Sequence, residues 1–317
     1  PTVRAGYLFN SGIAGIEDAD AIILIGTNPK AEAALVNARI RKTWLEKRLP
    51  ITLIGEPVDL PYPYHHMGTT ADDVVTLVKN YAKKVNAEKP MMIIGDQVFS
   101  RTDGLALHAA LHDAAEKLGC VRSAEEGGWN GFNILHRHAG RVGALDVGFV
   151  SQSGIKTEDM DVVFLLNSDE KSNVSSCSKE SFVVYQGHHG DLGAHRADVI
   201  LPGSAYTEKN ATYVNMEGRV QQTNQSVFPV GDAKEDWKIL RALSERVGGV
   251  LPYDSLLDLR QRIVSEWPIL GALDVLPNAP WGSFGKSGKL LKSPFKNTIK
   301  DFYMTNVITR ASTCLLY

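Results

Sequence analysis

Short apolar runs, each closed by glycine, recur along the first third of the chain: Ala21–Ile25 before Gly26, Ile51–Ile54 before Gly55, and Met91–Ile94 before Gly95. Runs of this kind suit strands buried on both faces, as in a parallel sheet. Between the first two, Asn28 reads as an N-cap and Pro29 as the first helical residue. Val36, Ile40 and Trp44 then repeat every four residues and form one apolar stripe. Arg39, Arg41, Lys42 and Lys47 fall largely off that stripe and read as a solvated face. The pattern predicts a βαβ unit.

Further on, Pro57 to Tyr64 reads as an extended connection. Thr70 is placed to cap a helix with Asp72 and Asp73 in its first turn and Val74, Leu77, Val78, Tyr81 and Val85 on its inner face. The pattern breaks over Asn86–Pro90. Asp103 is placed to cap the next helix, whose stripe is Leu107, Leu111, Ala114 or Ala115, and Leu118, whereas Gly127 to Phe149 has no clear period. Strands are predicted at Asp161–Leu166, Ser181–Tyr185 and Val199–Leu201, the last stopped by Pro202, which lacks the N–H that a sheet interior needs. Two more helices follow: Trp237, Leu240, Leu243 and Val247 mark one, capped near Asp232, and Leu256, Leu259 and Ile263 mark the other. Pro268 to Pro294 has no period and reads as a wandering arm.

The fold class is therefore α/β, with open, mostly parallel sheets flanked by helices in two lobes. The expected division is an incomplete α/β lobe over 1–88, a second lobe over 89–265, an irregular arm over 266–296 and a docking tail over 297–317. Two obvious strands make a marginal sheet, so the first lobe is expected to be completed by residues from outside this sequence.

Composition narrows the function. With 317 residues, 44% hydrophobic and 22% charged, the chain has the make-up of a globular protein with a sizeable core. A formal charge of −2 supplies no basic field for nucleic acid and no polybasic face for a membrane. No apolar run approaches the roughly 20 residues that span a bilayer, so direct membrane insertion is not expected. After Pro1 there is no charged region followed by an apolar one, and the chain reads as an internal segment or a mature form.

Candidate chemistry is sparse. Cys120, Cys177 and Cys314 are far apart, without the closely spaced thiolates an iron–sulfur cluster needs. Cys120 reads as a small core residue, Cys177 as a loop thiol. His188-His189-Gly190-Asp191, with His195 beyond, is the most metal-like cluster, but a structural zinc site wants four ligands. The reading that fits better is a hydrogen-bonded polar loop; His65-His66 and His136-Arg137-His138 carry less weight. The Gly26-Thr27-Asn28-Pro29 turn offers free N–H groups at a strand exit, a feature of every α/β fold. Ala197–Thr223 ends in a polar loop with Glu208, Thr212, Asn215, Glu217 and Arg219, able either to grip a nucleotide-like cofactor or to brace lobes by hydrogen bonds. No nucleophile elbow, G-x-G-x-x-G after a strand or Walker A sequence is present. No catalytic, cofactor-binding or metal-binding residue is assigned.

The block QGHHGDLGAHRADVILPGSAYTEKNATYVNMEGR resembles the molybdopterin oxidoreductase superfamily, and within it the large iron–sulfur subunits of mitochondrial respiratory complex I. IGTNPKAEAALVNARIRKTWL, NILHRHAGRVGALDVGF and TIKDFYMTNVITRAS carry the same resemblance, in the right order, over about 1–265 and 297–313. The resemblance implies a non-catalytic, structural carboxyl-terminal part of that subunit. It implies 2Fe–2S and 4Fe–4S clusters in the missing amino-terminal part, relaying electrons from NADH towards ubiquinone, and no cofactor in this segment. It also implies other complex I peripheral-arm subunits as partners, on the matrix side of the mitochondrial inner membrane. The alternative is the cofactor-binding part of an active molybdopterin-dependent oxidoreductase, in whose relatives the Gly-Thr-Asn-Pro turn touches the cofactor's nucleotide. In that superfamily the metal ligand lies upstream of what corresponds to Thr2, and Asn210-Ala211-Thr212 stands where Gly-Thr is expected. A Cβ there would crowd a closely bound pterin. A Rossmann-type dehydrogenase is a distant third.

Overall fold

The computed structural model describes residues 3–81, 87–150, 157–169, 174–299, 303–304, 306–312 and 314. It falls into two compact units. Unit 1 comprises Pro1–Phe149, Val214–Arg219 and Asp274–Phe302; unit 2 comprises Val150–Tyr213, Val220–Leu273 and Tyr303–Tyr317.

Unit 1 is built on a parallel sheet of β1 (Ala21–Ile25), β2 (Ile51–Ile54), β3 (His65–Gly68), β4 (Pro90–Ile94) and β5 (Phe132–Ile134), in the order β3-β2-β1-β4-β5. The apolar runs are continuous because both faces are covered. On one side lie the helices α1 (Pro29–Glu32) and α2 (Ala34–Lys47), and Ile22, Leu24, Met91 and Ile93 face Val36 and Ile40 of α2. On the other, Ile23, Ile25, Met92 and Ile94 face α3 (Ala71–Tyr81), the short α4 (Asp96–Phe99) and α5 (Gly104–Lys117). Val74, Leu77, Val98, Leu107 and Leu111 complete that layer. Burying one such aliphatic side chain contributes about 1.5–3 kcal/mol, which makes this double layer the main stabilising mass of the unit.

The expected lobe boundary at 88/89 is corrected here. β4 pairs with β1 along its whole length, from Ala21 opposite Pro90 to Ile25 opposite Ile94, so a cut there would divide one sheet. The first lobe also needs no outside strand to fill its centre, since the chain's own β4 and β5 supply that side. β5 was hidden in the glycine-rich stretch because three residues give no readable alternation.

Local chemistry departs from expectation at several caps. Pro29 does open a helix, but Asn28 makes no side-chain cap bond, and α1 breaks at Ala33 before α2 begins. Thr70 precedes α3, and its N–H (2.8 Å) and Oγ1 (2.7 Å) both donate to Asp73, the reciprocal half of a capping box. Asp103 does not cap α5; it takes both Arg101 nitrogens (2.8 and 3.0 Å) and the N–H of Leu291 (2.7 Å), tying the arm down. The expected contributions of Val85 and Asn86, and the Tyr81 side chain, lie outside the described residues.

Unit 2 carries a three-stranded parallel sheet in the order β6 (Val162–Leu166), β7 (Phe182–Gly187), β8 (Val199–Pro202). Val163, Leu165, Val183 and Tyr185 pack on one face beneath Val174, Cys177, Ala194 and Ala197. On the opposite face the first pair is exposed, Val162 at 62% and its cross-strand partner Phe182 at 48%, whereas Gln186 on the same face is buried and donates to Asp236 Oδ1 at 2.9 Å. Strands β9 (Ala211–Val214) and β10 (Val220–Thr223) form a separate two-stranded sheet. The helix over Asp236–Arg246 starts after Glu235 rather than near Asp232. The one over Leu256–Glu266 is capped by Ser255, with Ser255 Oγ and the Asp258 carboxylate in a reciprocal box.

Candidate functional site

In an open parallel sheet, ligands bind at the carboxyl edge where strand order reverses. Here the chain lays β2 and β3 on one side of β1 and returns to place β4 and β5 on the other, so the switch point is the gap between β1 and β4. The predicted Gly26-Thr27-Asn28-Pro29 turn stands on one bank and Gly95-Asp96-Gln97 on the other. Gly26 has φ of +55°, a left-handed conformation that favours glycine. The banks are close: a Cβ on Gly95 would lie 2.5 Å from the Gly26 carbonyl oxygen and 2.5 Å from Thr27 Cβ. Glu32 folds back beneath the turn and accepts the Asn28 N–H at 2.6 Å; burial pushes its carboxyl above the usual range. Among the described residues Asn28 Oδ1 and Gln97 Oε1 are buried without a hydrogen-bond partner, so polar acceptors persist at this edge.

The arm closes the edge. Phe295 is fully buried in the α3/α5 layer, with its Cδ1 3.3 Å from the position a Gly26 Cβ would take. Its N–H donates to Thr69 just past β3 (2.7 Å), while Arg101 lies over its ring at 5.2 Å from the centroid. Asn297 N–H donates to Glu56 Oε2 beyond β2 (3.0 Å), and Thr298 Oγ1 donates to Asp96 beyond β4 (3.2 Å). Residues 295–298 thus cross the carboxyl ends of four strands and engage the Glu56 and Asp96 carboxylates. An aromatic side chain of the protein fills the floor beneath Gly26.

The polar loop near residue 215 serves as a brace. Glu217 is buried; its Oε1 accepts the Ile13 N–H (2.6 Å) and its Oε2 accepts Asn215 Nδ2 (3.0 Å). Asn215 Oδ1 in turn accepts the N–H groups of Glu217 and Arg219, both at 3.0 Å, closing a turn that Gly218 completes at φ +80°. Arg219 donates to the Asp274 carbonyl at 2.5 Å. Glu208 accepts the Ala205 N–H at 2.9 Å as a local cap. Each of these two carboxylates has a structural partner. The stretch 197–223 is moreover divided, since 214–219 belong to unit 1 and the remainder to unit 2.

In unit 2, His188 and His189 face each other through their Nδ1 atoms at 2.7 Å, and Asp191 caps the short helix Leu192–Arg196 by accepting the Leu192 N–H. Asp191 also takes Arg310 Nε at 2.6 Å, and Asp169 takes another Arg310 nitrogen, which seats the helix Val307–Ala311. His195 is exposed on the short helix that Asp191 caps. Asp191 of the HHGD cluster, together with Asp169, therefore anchors a tail segment. His136 is hydrogen-bonded to the Tyr7 carbonyl (2.6 Å), and burial holds its pKa below the usual histidine value. Among the described residues the three cysteines form no disulfide: Cys120 is buried, with its thiol pushed up to about 12 by burial, Cys177 is half-buried and Cys314 exposed. Sequence reasoning missed Phe295, Asn297 and Thr298 as crevice residues; no periodic signal marks an isolated aromatic in an irregular arm.

Two family models match the chain. One is molybdopterin oxidoreductase, over residues 1–246; the other is the C-terminal family of the NADH-ubiquinone oxidoreductase G subunit, over residues 279–315. Among curated proteins, the mitochondrial NADH-ubiquinone oxidoreductase 78 kDa subunits of Candida albicans and Neurospora crassa are 44% and 43% identical, each over 98% of this chain. The mitochondrial NADH dehydrogenase (ubiquinone) iron-sulfur protein 1 of Solanum tuberosum is 42% identical, again over 98% of the chain. The chain spans less than half the length of these relatives: 44%, 43% and 42%. Acetylene hydratase from Pelobacter acetylenicus superposes with a TM-score of 0.45 at 14% identity, covering 83% of this chain and 52% of that one. On the family match over most of its length, the chain belongs to the molybdopterin oxidoreductase family.

Proposed function

We propose that this chain is the non-catalytic, structural part of the large iron–sulfur subunit of respiratory complex I, supporting electron transfer from NADH to ubiquinone. It contributes no catalytic, cofactor-binding or metal-ligating residue of its own. The clusters, of 2Fe–2S and 4Fe–4S type, are carried by sequence outside this segment. Its partners are other peripheral-arm subunits, on the matrix side of the mitochondrial inner membrane. No helix among the described residues is long and apolar enough to cross a membrane, which is in keeping with a peripheral position.

The observation that carries the reading is Phe295. The family's cofactor would need the switch-point edge, and here the arm's aromatic ring, its backbone and its polar side chains occupy that edge. The scattered cysteines support the same reading, because a cluster needs several closely spaced thiolates. The names of the relatives, together with the second family match over the arm and tail, supply the complex.

The test is elemental analysis of the intact complex purified with this chain in place, together with fluorescence of acid-oxidised pterin. Iron without molybdenum, tungsten or pterin is the expected result. Molybdenum and pterin at one per chain would overturn the proposal in favour of an active molybdopterin-dependent oxidoreductase.

A further inference from the structure

Lys286, Lys289, Lys292, Lys296 and Lys300 all fall between Asp274 and Asp301, a stretch with no other charged residue and no histidine. The formal charge of the chain is −2, so an excess of acid elsewhere conceals this local basic run. Lys300 lies outside the described residues. Among the described residues the side chains of Lys286, Lys289, Lys292 and Lys296 are exposed and have no ion-pair or hydrogen-bond partner. The carboxylates that hold the arm are engaged with other groups: Asp103 takes Arg101 and the Leu291 N–H, and Glu56 takes the Asn297 N–H.

The backbone that carries these amines is held in place. Lys286 N–H donates to the Leu105 carbonyl at 3.0 Å, and Leu291 N–H donates to Asp103 at 2.7 Å. Arg101 donates to the carbonyls of Leu291 (3.0 Å) and Ser293 (2.7 Å), and Phe295 is buried just beyond. Between the arm and the first turn of α5 runs a groove of about 320 Å³, with Leu105, Ala106 and Leu291 as its apolar lining and Lys286 and Lys289 beside them. Leu105 and Leu291 are both exposed. Lys286, Lys289 and Lys292 follow one another at three-residue steps, at most about 10 Å along the backbone. Carboxylates on every third residue of an extended acidic segment span the same distance, and an apolar side chain between them would cover the two leucines. Fluid lipid headgroups offer no such fixed register, and a flat bilayer does not follow a groove.

From this charge and shape we propose that the arm docks an acidic, extended segment of another polypeptide in the same assembly, with its carboxylates against Lys286, Lys289 and Lys292 and an apolar side chain against Leu105 and Leu291. Single surface ion pairs contribute little, so the docking rests on several amines acting together with the apolar cover. The proposal rests on the complex I reading for the existence of an assembly. A wrong complex would show in the metal and pterin content, and a wrong docking surface in the contacts of the arm alone.

The experiment is zero-length carbodiimide crosslinking of the intact purified complex, followed by peptide mapping, since this reagent joins an amine only to a carboxylate in direct contact. Crosslinks are expected from Lys286, Lys289 or Lys292 to Asp or Glu residues of a second polypeptide. The triple variant Lys286→Gln/Lys289→Gln/Lys292→Gln should abolish them and release that polypeptide at least about fivefold more readily in a salt wash. The triple variant Lys286→Arg/Lys289→Arg/Lys292→Arg should also abolish the crosslinks, because a guanidinium is not coupled, yet should retain the polypeptide because the charge is kept. The three side chains are exposed, so neither variant removes core packing. No crosslink from the arm, crosslinks confined to this polypeptide, or equal retention by the glutamine variant would each overturn the proposal. Amines shielded from acylation until lipid is extracted, with no carboxylate crosslink, would assign the strip to an anionic membrane and overturn it as well.

Discussion

Arg4 and Asp146 are joined by two parallel hydrogen bonds, Nε to Oδ1 at 2.9 Å and Nη2 to Oδ2 at 2.7 Å, with the carboxylate wholly out of solvent. Tyr7 donates its hydroxyl to the same Oδ1 at 2.7 Å, and Arg4 also reaches the Gly218 carbonyl at 3.1 Å. The group therefore ties the start of the chain to α6 (Arg141–Asp146) and to the 215–219 turn. Removing the cation strands a buried carboxylate. Arg4→Met is expected to destabilise unit 1 by about 3–5 kcal/mol, and Tyr7→Phe by about 1–2 kcal/mol, read from urea unfolding. Equal, sub-kilocalorie losses for both would mean that the pair is solvated.

Phe295 belongs to the core although it sits in an irregular arm. Phe295→Ala should cost about 3–5 kcal/mol, the range for deleting a buried aromatic, and should expose Gly26 and Thr69 backbone amides to hydrogen exchange. A surface-like loss of a few tenths would show that the arm merely lies on the sheet.

Gly26 should not tolerate a side chain. In Gly26→Ala the methyl would meet Val98 Cγ2 at 3.1 Å and Phe295 Cδ1 at 3.3 Å, in a left-handed backbone that itself costs about 1–2 kcal/mol. A drop in the midpoint of thermal unfolding, partly recovered when Phe295→Leu makes room, is the expected pattern.

His108 gives unit 1 a pH dependence. Its folded pKa, lowered chiefly by burial and further by neighbouring His112, is about 4, against 6.5 for the free side chain. The unfolded chain thus takes up the proton first as pH falls. The stabilising contribution is complete above about 6.5 and is lost progressively between there and about 4. His136, held down by burial as well, acts in the same direction. Denaturant midpoints should fall across that window, and His108→Gln, which keeps a donor for the Gly6 carbonyl without titrating, should flatten the fall.

Arg310 holds the tail helix by its two carboxylates, Asp169 and Asp191. Arg310→Ala should free the 306–312 segment for limited proteolysis at least about tenfold faster than in the parent, with little change in global stability. Asp191→Asn should give a smaller effect, because Asp169 remains.

How much of this was legible beforehand depends on the kind of signal. The doubly buried strands at 21–25, 51–54 and 90–94 were plain, since covering both faces forces unbroken apolar runs. β5 was not, being three residues long. The lobe boundary was misplaced because an irregular break, such as the one before Pro90, reports a chain reversal and not which sheet the next strand joins. Asp103 and Asp232 looked like caps by spacing, yet Arg101 and the Leu291 amide compete for the first, and the second helix begins after Glu235. Glu217 was visible as a polar residue in a suggestive loop, but its partners Ile13 and Asn215 are set by tertiary structure. The crevice itself was legible from Gly26-Thr27-Asn28-Pro29; its plug was not, because Phe295 is remote in sequence and belongs to no repeating pattern.

That remoteness bears on synthesis. Unit 1 is assembled from three stretches of the chain, and the ring beneath Gly26 comes from the third. A ribosome will have added some 270 residues after β1 before Phe295 is made, so the first sheet must wait half-finished, its apolar layer open to chaperones or to premature self-association. Nascent chains arrested before residue 295 should accordingly stay protease-sensitive in a segment that becomes resistant once residue 295 has emerged from the ribosome.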